Sequence, residues 1–236
     1  MTNHWFDNGV VQLYQADARS LPIPGNSVDC VVTSPPYWGL RDYGIEEQGI
    51  GLEPTPEAYC ANMVEVFREV WRVLKPTGTV WMNLGDSYTS NGITGGGGPV
   101  DKRTDGRNTT PGDKVRGRKP EVRRASAIGL KPKDLVGIPW RVAFALQADG
   151  WYLRSDIIWS KPNPMPESAT DRPTKAHEYV FLLTKRPRYY YDADAIREKH
   201  NPSGRNKRTV WEIATQPYPE AHFATYPEKL VEPCIL

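Results

Sequence analysis

The stretch from Thr33 to Gly39, TSPPYWG, is the feature that most constrains the fold, because it directly follows the apolar run Val28–Val32. That run predicts a buried strand, and the strand is followed by a hydroxyl, two prolines and two neighbouring aromatic residues. A strand that simply turned would be followed by Gly, Asn or Asp. Because proline fixes φ, the stretch predicts a rigid backbone that holds polar groups in place at a strand end.

Strand and helix patterns alternate along most of the chain. Strands are predicted at residues 10–17, 28–33, 79–84, 152–160 and 179–184, and helices at about 56–75 and 134–149. Thr55 is placed to cap the first helix, and Pro56 suits its first position. This alternation predicts an α/β fold with a mostly parallel sheet. In such sheets the ligand crevice lies outside the C-terminal ends of the strands, which makes Ser34 to Tyr37 a candidate site.

Charge is distributed unevenly, although the net charge of the chain is only +2. Residues 101–133 carry eleven Lys and Arg against four Asp and Glu, and they lie in a segment without periodicity. A basic segment on a mildly acidic body favours a polyanionic partner such as DNA, and a solvated tail is the alternative. The candidate DNA-binding residues are Arg116, Arg118, Lys119, Arg123 and Arg124 in this segment, with Arg205, Lys207 and Arg208 further on.

Membrane and secretory segments are not evident in the sequence. No apolar run approaches the ~18 to 20 residues of a membrane span, and the N-terminus lacks a secretory pattern, so a cytoplasmic protein without a membrane partner is expected. Cys30, Cys60 and Cys234 are far apart and form no C-x-x-C pair. Neither a disulfide framework nor a metal site is predicted.

The polar groups of the motif suit one particular chemical partner. The Ser34 hydroxyl and the Pro35 carbonyl, on a backbone stiffened by Pro36, are two acceptors that match an exocyclic amino group. Tyr37 and Trp38 offer ring faces for stacking, worth roughly 1–3 kcal/mol per base. These residues therefore predict a pocket for the amino group of a nucleotide base extruded from a duplex.

The chain resembles the circularly permuted β class of S-adenosylmethionine-dependent DNA amino-methyltransferases, whose signature is (D/N/S)-P-P-(Y/F). TSPPYWG matches that signature, and further matches are LKPTGTVWMNLGDSY, IIWSKPNP, HEYVFLLTK and HFATYPEKLVEP, in the family's order. The resemblance implies a Rossmann-like methyltransferase fold, in which the catalytic strand precedes the cofactor-binding half. It also implies methyl transfer to an amino nitrogen of double-stranded DNA, with Ser34, Pro35, Pro36 and Tyr37 as the catalytic motif.

The same resemblance implies where S-adenosylmethionine binds. Asp17 matches the position near the adenine of the cofactor, and the residues that match the methionine side are Phe223, Thr225, Tyr226 and Pro227. Family members continue into a glycine-rich loop of the type D-P-F-x-G-S-G-T, whereas this sequence ends at Leu236. An incomplete cofactor half is therefore expected. The alternatives are a DNA-binding remnant without catalysis and a split enzyme completed by a second chain.

Motif order divides the sequence into a catalytic half at 1–89, a flexible basic loop at 90–130 and a remainder at 131–236. Target recognition is assigned to 186–215, and the start of the cofactor-binding half to 222–236. A serine at the first motif position favours N4 of cytosine over N6 of adenine, on family habit. Pro233-Cys234 superficially resembles the motif of cytosine-C5 enzymes, and His177 is interpreted as structural or as part of the site wall.

Overall fold

The computed structural model describes residues 5–40, 49–89, 129–199, 202, 204–216 and 225–236. The elements are β1 Phe6–Asp7, β2 Gln12–Leu13, β3 Val28–Thr33, α1 Pro56–Val73, β4 Leu74–Leu84, α2 Ile138–Ala148, β5 Tyr152–Ser160, β6 His177–Thr184, β7 Val210–Glu212 and α3 Glu228–Ile235. Most of the predicted basic loop at 90–130 lies outside the described residues.

A five-stranded sheet with the order β3-β4-β6-β5-β7 forms the framework. β3 pairs parallel to β4 and β5 pairs parallel to β7, whereas β6 runs antiparallel to both of its neighbours. Four of the five strands therefore point in one direction. This agrees with the predicted mostly parallel α/β fold, with one reversed strand inside the sheet.

The middle of this sheet is buried on both faces. All residues from Thr79 to Leu84 and from Val180 to Thr184 are buried, which is the pattern of strands covered on both sides. On one face, Trp81 and Trp211 lie 6.0 Å apart between ring centroids. They belong to a core cluster with Ile157, Trp159, Val180, Leu182, Leu230 and Cys234, which attaches α3 to the sheet.

The chain forms two compact units, each continuous in space but not in sequence. The first contains Met1–Pro35, Val64–Leu84 and Ala143–Leu236, and it holds the complete five-stranded sheet. The second contains Pro36–Met63 and Gly85–Val142. The described part of the second unit comprises the segment that begins at Pro36, the first turns of α1 and the start of α2.

Helix α1 begins as the sequence predicts. The Thr55 hydroxyl accepts a hydrogen bond from the backbone N–H of Ala58 at 3.1 Å, which satisfies one of the donors left open at a helix start. The last turns of α1 pack on Trp151, with Trp71 at 4.9 Å between ring centroids. Arg68 forms an ion pair with Asp149 there.

Helix α2 begins at Ile138, four residues later than the pattern indicates. The N–H of Val136 bonds to the carbonyl of Ser87 at 2.9 Å, and Thr89 bonds to Asp134, so residues 134–136 follow a strand-like path. Gly137 then adopts a φ of +78°. The Asp86 carboxylate accepts the N–H groups of Gly137 and Ile138, both at 3.0 Å, and thereby caps the helix from outside it.

The strand predicted at residues 10–17 is wrong. Only Gln12–Leu13 is extended, in a two-stranded antiparallel hairpin with Phe6–Asp7. Side chains at 7 and 8 bond to the main chain at 9–11 and close this hairpin locally. Asp17 therefore lies in a loop and not at a strand end. Within the described part of the chain, no helix is long and apolar enough to cross a membrane.

Candidate active site at the end of strand β3

Ser34 follows the last residue of β3 and belongs to the unit that contains the sheet. Its Oγ donates a hydrogen bond to Oδ1 of Asn83 at 3.4 Å, and Nδ2 of Asn83 donates to the carbonyl of Tyr179 at 3.1 Å. Asn83 is only 4% exposed. The hydroxyl of the motif is thus connected to a buried amide on β4, and that amide is fixed by the main chain of β6.

Pro36 belongs to the second unit, where its carbonyl accepts a hydrogen bond from the Tyr59 hydroxyl at 2.8 Å. Tyr59 is completely buried on the first turn of α1. Burial raises the pKa of Tyr59, so its hydroxyl keeps its proton and remains a donor at any physiological pH. The Pro36 carbonyl is therefore held by the protein, and Pro35 remains the predicted source of the second acceptor.

Tyr37 lies directly against the backbone of Gly85. Gly85 follows the last residue of β4 and belongs, like Tyr37, to the second unit. A Cβ on residue 85 would come within 2.6 Å of Cε2 of the Tyr37 ring. On the other side, Gly51 adopts a φ of +103°, and a Cβ there would lie 3.3 Å from the Tyr37 carbonyl. Two glycines thus allow two backbone segments to approach Tyr37 closely, and this approach fixes its ring and main chain.

The sequence prediction for Trp38 is wrong. Trp38 is 1% exposed and donates from Nε1 to the carbonyl of Glu53 at 2.9 Å, so its ring offers no face to a ligand. The Glu53 carboxylate, itself buried, accepts hydrogen bonds from the Gly51 N–H at 2.9 Å and from Asn62 Nδ2 at 2.8 Å. Trp38 therefore anchors the motif to the 51–53 loop and to α1.

The later motifs IIWSKPNP and HEYVFLLTK meet as neighbouring strands β5 and β6. Lys161 pairs with Glu178 at 2.5 Å, and its Nζ lies 4.1 Å from the centroid of the Trp159 ring. The edge of His177 contacts the Tyr179 ring at 5.4 Å between centroids, and burial lowers the pKa of His177. A neutral His177 packed on a neighbouring ring agrees with a wall or structural residue.

The predicted cofactor residues lie in two places. Asp17 is exposed, and its carboxylate accepts hydrogen bonds from Arg19 at 2.7 to 3.2 Å, which lower the pKa of Asp17. Thr225 is exposed, Tyr226 is half-buried against the tryptophan cluster, and Pro227 is the buried N-cap of α3. Phe223 lies outside the described residues.

Two of the three described DNA candidates, Arg205 and Arg208, form a clasp on one carboxylate. Glu198 accepts hydrogen bonds from Arg205 at 2.8 Å and from Arg208 at 3.0 Å, and these bonds lower its pKa to about 2. Lys207 lies over the Trp211 ring at 5.3 Å. The Arg208 side chain remains 65% exposed. Arg116, Arg118, Lys119, Arg123 and Arg124 lie outside the described residues.

Burial raises the pKa of all three cysteines, to about 11 for Cys60 and about 12 for Cys234. The Cys234 thiol also donates to the Leu230 carbonyl inside α3. A thiol protonated in this way is not a nucleophile, so the resemblance of Pro233-Cys234 to cytosine-C5 enzymes has no chemical counterpart here. Among the described residues, no His, Cys, Asp and Glu group could hold a metal ion.

Similar solved structures define the class of fold. The PvuII DNA methyltransferase, titled cytosine-N4-specific, matches with a TM-score of 0.63 at 19% identity, over 95% of this chain and 68% of that chain. A DNA modification methylase from Thermus thermophilus, TTHA0409, solved in complex with S-adenosyl-L-methionine, matches with a TM-score of 0.52 at 21% identity, over 92% of this chain and 70% of that chain. The fold is that of the Rossmann-like methyltransferases, as predicted.

Sequence comparison gives the family. The model of the N6/N4 methyltransferases, described as DNA methylase, matches residues 28–236. The type II methyltransferase M.Cfr9I of Citrobacter freundii is 54% identical over 95% of this chain and 71% of its own length. M.XycI of Xanthomonas campestris pv. cyanopsidis is 53% identical over 94% of this chain and 71% of its own length. The chain belongs to the N6/N4 DNA methylase family. The circular permutation stays a prediction.

Proposed function

We propose that this protein transfers a methyl group from S-adenosylmethionine to an exocyclic amino nitrogen of a base extruded from double-stranded DNA, with N4 of cytosine favoured over N6 of adenine. The observation that carries the proposal is the Ser34 hydroxyl, held at the C-terminal end of β3 by the buried Asn83. Ligands of open α/β sheets bind at this end of the strands.

The two hydrogen-bond acceptors of the motif compensate for the low nucleophilicity of the base amino group. The amino nitrogen of cytosine or adenine is a poor nucleophile because its lone pair is delocalised into the ring. Hydrogen bonds from its two N–H groups to Ser34 Oγ and the Pro35 carbonyl favour a tetrahedral nitrogen and stabilise the positive charge that develops on it. The extra proton is afterwards lost to water. The nitrogen attacks directly, which agrees with the absence of an ionised thiol among the three cysteines.

Tyr37 supplies the stacking surface for the extruded base. Extrusion costs a few kcal/mol, which a base stacked on an aromatic ring offsets by roughly 1–3 kcal/mol. The close contact with Gly85 and the hydrogen bond from Tyr59 to Pro36 restrict the ring and the main chain of this segment before DNA binds. A preformed surface loses less conformational entropy when the base arrives.

The described residues fit S-adenosylmethionine best at the start of α3. No side chain in the described part of the chain caps this helix, whose N-cap is Pro227, and uncapped N–H groups at a helix start attract a carboxylate such as that of the methionine moiety. Tyr226 provides a half-buried ring beside it. Asp17 fits less well, because Arg19 already occupies its carboxylate. When bound, the cofactor supplies the electrophilic methyl group.

Contacts to DNA phosphates are assigned to Arg208 and to the predicted basic residues at 116–124. Cations that contact phosphates supply affinity without base specificity, and binding through them weakens as salt increases. Arg205 is more enclosed in the Glu198 clasp, with 35% of its side chain exposed. Its principal role is therefore to hold the segment that carries Arg208.

The test is nucleoside mass spectrometry of DNA incubated with the intact protein and S-adenosylmethionine. We expect N4-methylcytosine, and its loss in Ser34→Ala and Tyr37→Ala variants that stay folded. Ser27→Ala is the matched control, because Ser27 donates only to a turn carbonyl at Pro24. Methyladenine alone would refute the preference for cytosine. DNA binding without any methylated base would favour the catalytically inactive alternative.

A further inference from the structure

The side-chain amide of Asn83 has one orientation that satisfies the Tyr179 carbonyl. Its partner on β6 is the backbone carbonyl of Tyr179, 3.1 Å from Nδ2, and a carbonyl can only accept a hydrogen bond. Turning the amide over would place Oδ1 against that carbonyl, oxygen facing oxygen. The Tyr179 main chain therefore assigns Nδ2 to β6 and directs Oδ1 to Ser34.

This orientation determines the direction of the Ser34 hydroxyl. A serine hydroxyl can donate or accept, and by itself it has no fixed polarity. Because Oδ1 of Asn83 only accepts, the shared hydrogen bond uses the Ser34 proton. Oγ then presents lone pairs to its other neighbours. An amide in the reverse orientation would donate to Oγ and leave the hydroxyl proton free to point at a substrate N–H.

We propose that Asn83 is a positioning residue that sets the Ser34 hydroxyl as an acceptor for the substrate amino group. This inference rests on the proposed function, in which Ser34 accepts a hydrogen bond from the amino nitrogen that is methylated. Asn83 acts only through Ser34. The polarity of the site is thus set by a sequence of three groups: the Tyr179 carbonyl, the Asn83 amide and the Ser34 hydroxyl.

Burial makes this arrangement effective. Asn83 is 4% exposed and lies on β4, between β3 and β6 in the sheet, opposite Val180. Water that could offer alternative partners has little access to the amide, and a hydrogen bond is stronger in such surroundings. The separation of 3.4 Å between Oγ and Oδ1 is long for an O–H donor, and bonds at catalytic sites commonly tighten in the substrate complex.

The decisive variants are Asn83→Leu and Asn83→Asp in the intact protein. Leucine has nearly the same shape and removes the acceptor, so the single-turnover rate of methyl transfer should fall about 10- to 100-fold, the range for loss of groups that orient a functional ligand. Aspartate retains an acceptor facing Ser34 and should recover part of that loss, although its second oxygen replaces the donor to the Tyr179 carbonyl and lowers stability. The dissociation constants for DNA and S-adenosylmethionine should change little, because the effect lies in the chemical step.

Two controls separate positioning from general damage. Thr184→Val removes a buried hydroxyl that donates to the Arg186 carbonyl at the opposite end of β6. It should lower stability and leave the single-turnover rate unchanged. Ser34→Ala is assayed for its residual single-turnover rate at enzyme in excess over DNA, and adding Asn83→Leu in that background should cause no further loss of this residual rate, because Asn83 acts through the missing hydroxyl.

The experiments distinguish failure of the positioning role of Asn83 from failure of the proposed function. If Ser34→Ala keeps the wild-type rate, the proposed function fails. If Ser34→Ala loses most of its rate but folded Asn83→Leu keeps its rate, the positioning role is overturned and the proposed function stands. Equal losses for leucine and aspartate, or a further loss in the double variant, would assign Asn83 a structural role only.

Discussion

The ring of Tyr37 lies on Gly85 so closely that a single methyl group at residue 85 would come within 2.6 Å of Cε2. Real Cβ atoms do not approach other atoms to that distance, so Gly85→Ala must displace the ring. Under the proposed role of Tyr37 in stacking on the base, we expect a loss of methyl transfer of at least tenfold, because a displacement of about 1 Å can cost about 100-fold in rate. Steady-state kinetics and a thermal melt of the same variant measure the two effects.

Gly25→Ala is the control for that substitution, since a Cβ at Gly25 would make only an ordinary contact at 3.4 Å with the Arg72 carbonyl. Wild-type kinetics in folded Gly85→Ala would show that the ring position does not matter for the reaction.

Tyr59→Phe removes the hydroxyl that donates to the Pro36 carbonyl. The substitution removes the donor, whereas the Pro36 carbonyl remains and is left without that hydrogen bond. The free energy of unfolding should fall by about 1–3 kcal/mol, the usual cost of leaving such a group unpaired. Urea denaturation measures the change. Tyr152→Phe, at an exposed position of β5, should leave the midpoint within error. Equal midpoints for the two variants would contradict the prediction.

The cysteines should be slow to react with thiol reagents in the folded protein. Burial raises the pKa of each, to about 11 for Cys60 and about 12 for Cys234, so little thiolate exists at pH 8. Iodoacetamide at pH 8 should leave the native protein unmodified and active for a period in which the denatured protein reacts at all three sites. Rapid labelling of one cysteine together with loss of activity would overturn the assignment of direct attack by the base.

The clasp of Glu198 with Arg205 and Arg208 should open in acid. Hydrogen bonds from the two arginines lower the pKa of Glu198 to about 2, below the value of about 4.3 for an unfolded chain. Its contribution to stability is therefore complete above pH ~4.3 and is lost as the pH falls towards 2. The protection factors of residues 204–208, which are corrected for the pH dependence of intrinsic amide exchange, should fall over that interval. Glu198→Gln should already have the lowered protection factors at pH 6, with little further change as the pH falls.

Local patterns were sufficient for much of the framework. β3 and β5 have the predicted limits, and α1 starts at Pro56 behind the Thr55 cap, because alternation, apolar spacing and capping chemistry are all carried by neighbouring residues. The family motif was also evident, since Ser34 to Tyr37 stands directly behind a strand.

The structure differs from the sequence predictions where residues bond to partners that are distant in sequence. Among the residues before α2, Asp134 bonds to Thr89 and Val136 bonds to Ser87, about fifty positions earlier, and no local pattern indicates that they leave the helix. Trp38 was expected to face a ligand, but its indole bonds to Glu53 and is buried. The contact of Asn83 with Ser34 was not predicted, because it depends on the register of β4 against β6, which places the Asn83 amide at the Tyr179 carbonyl.

Strand β6 lies between β4 and β5, although it follows both in the chain. Its pairing with β5 closes only residues 161–176, whereas its pairing with β4 closes residues 85–176. Closing a longer loop costs more entropy, and contacts between distant residues slow folding. During synthesis, β4 and the Asn83 amide must therefore wait for β6 to leave the ribosome. Ser34 emerges early, but the Asn83 amide that contacts it is held by β6 only after translation has passed Thr184.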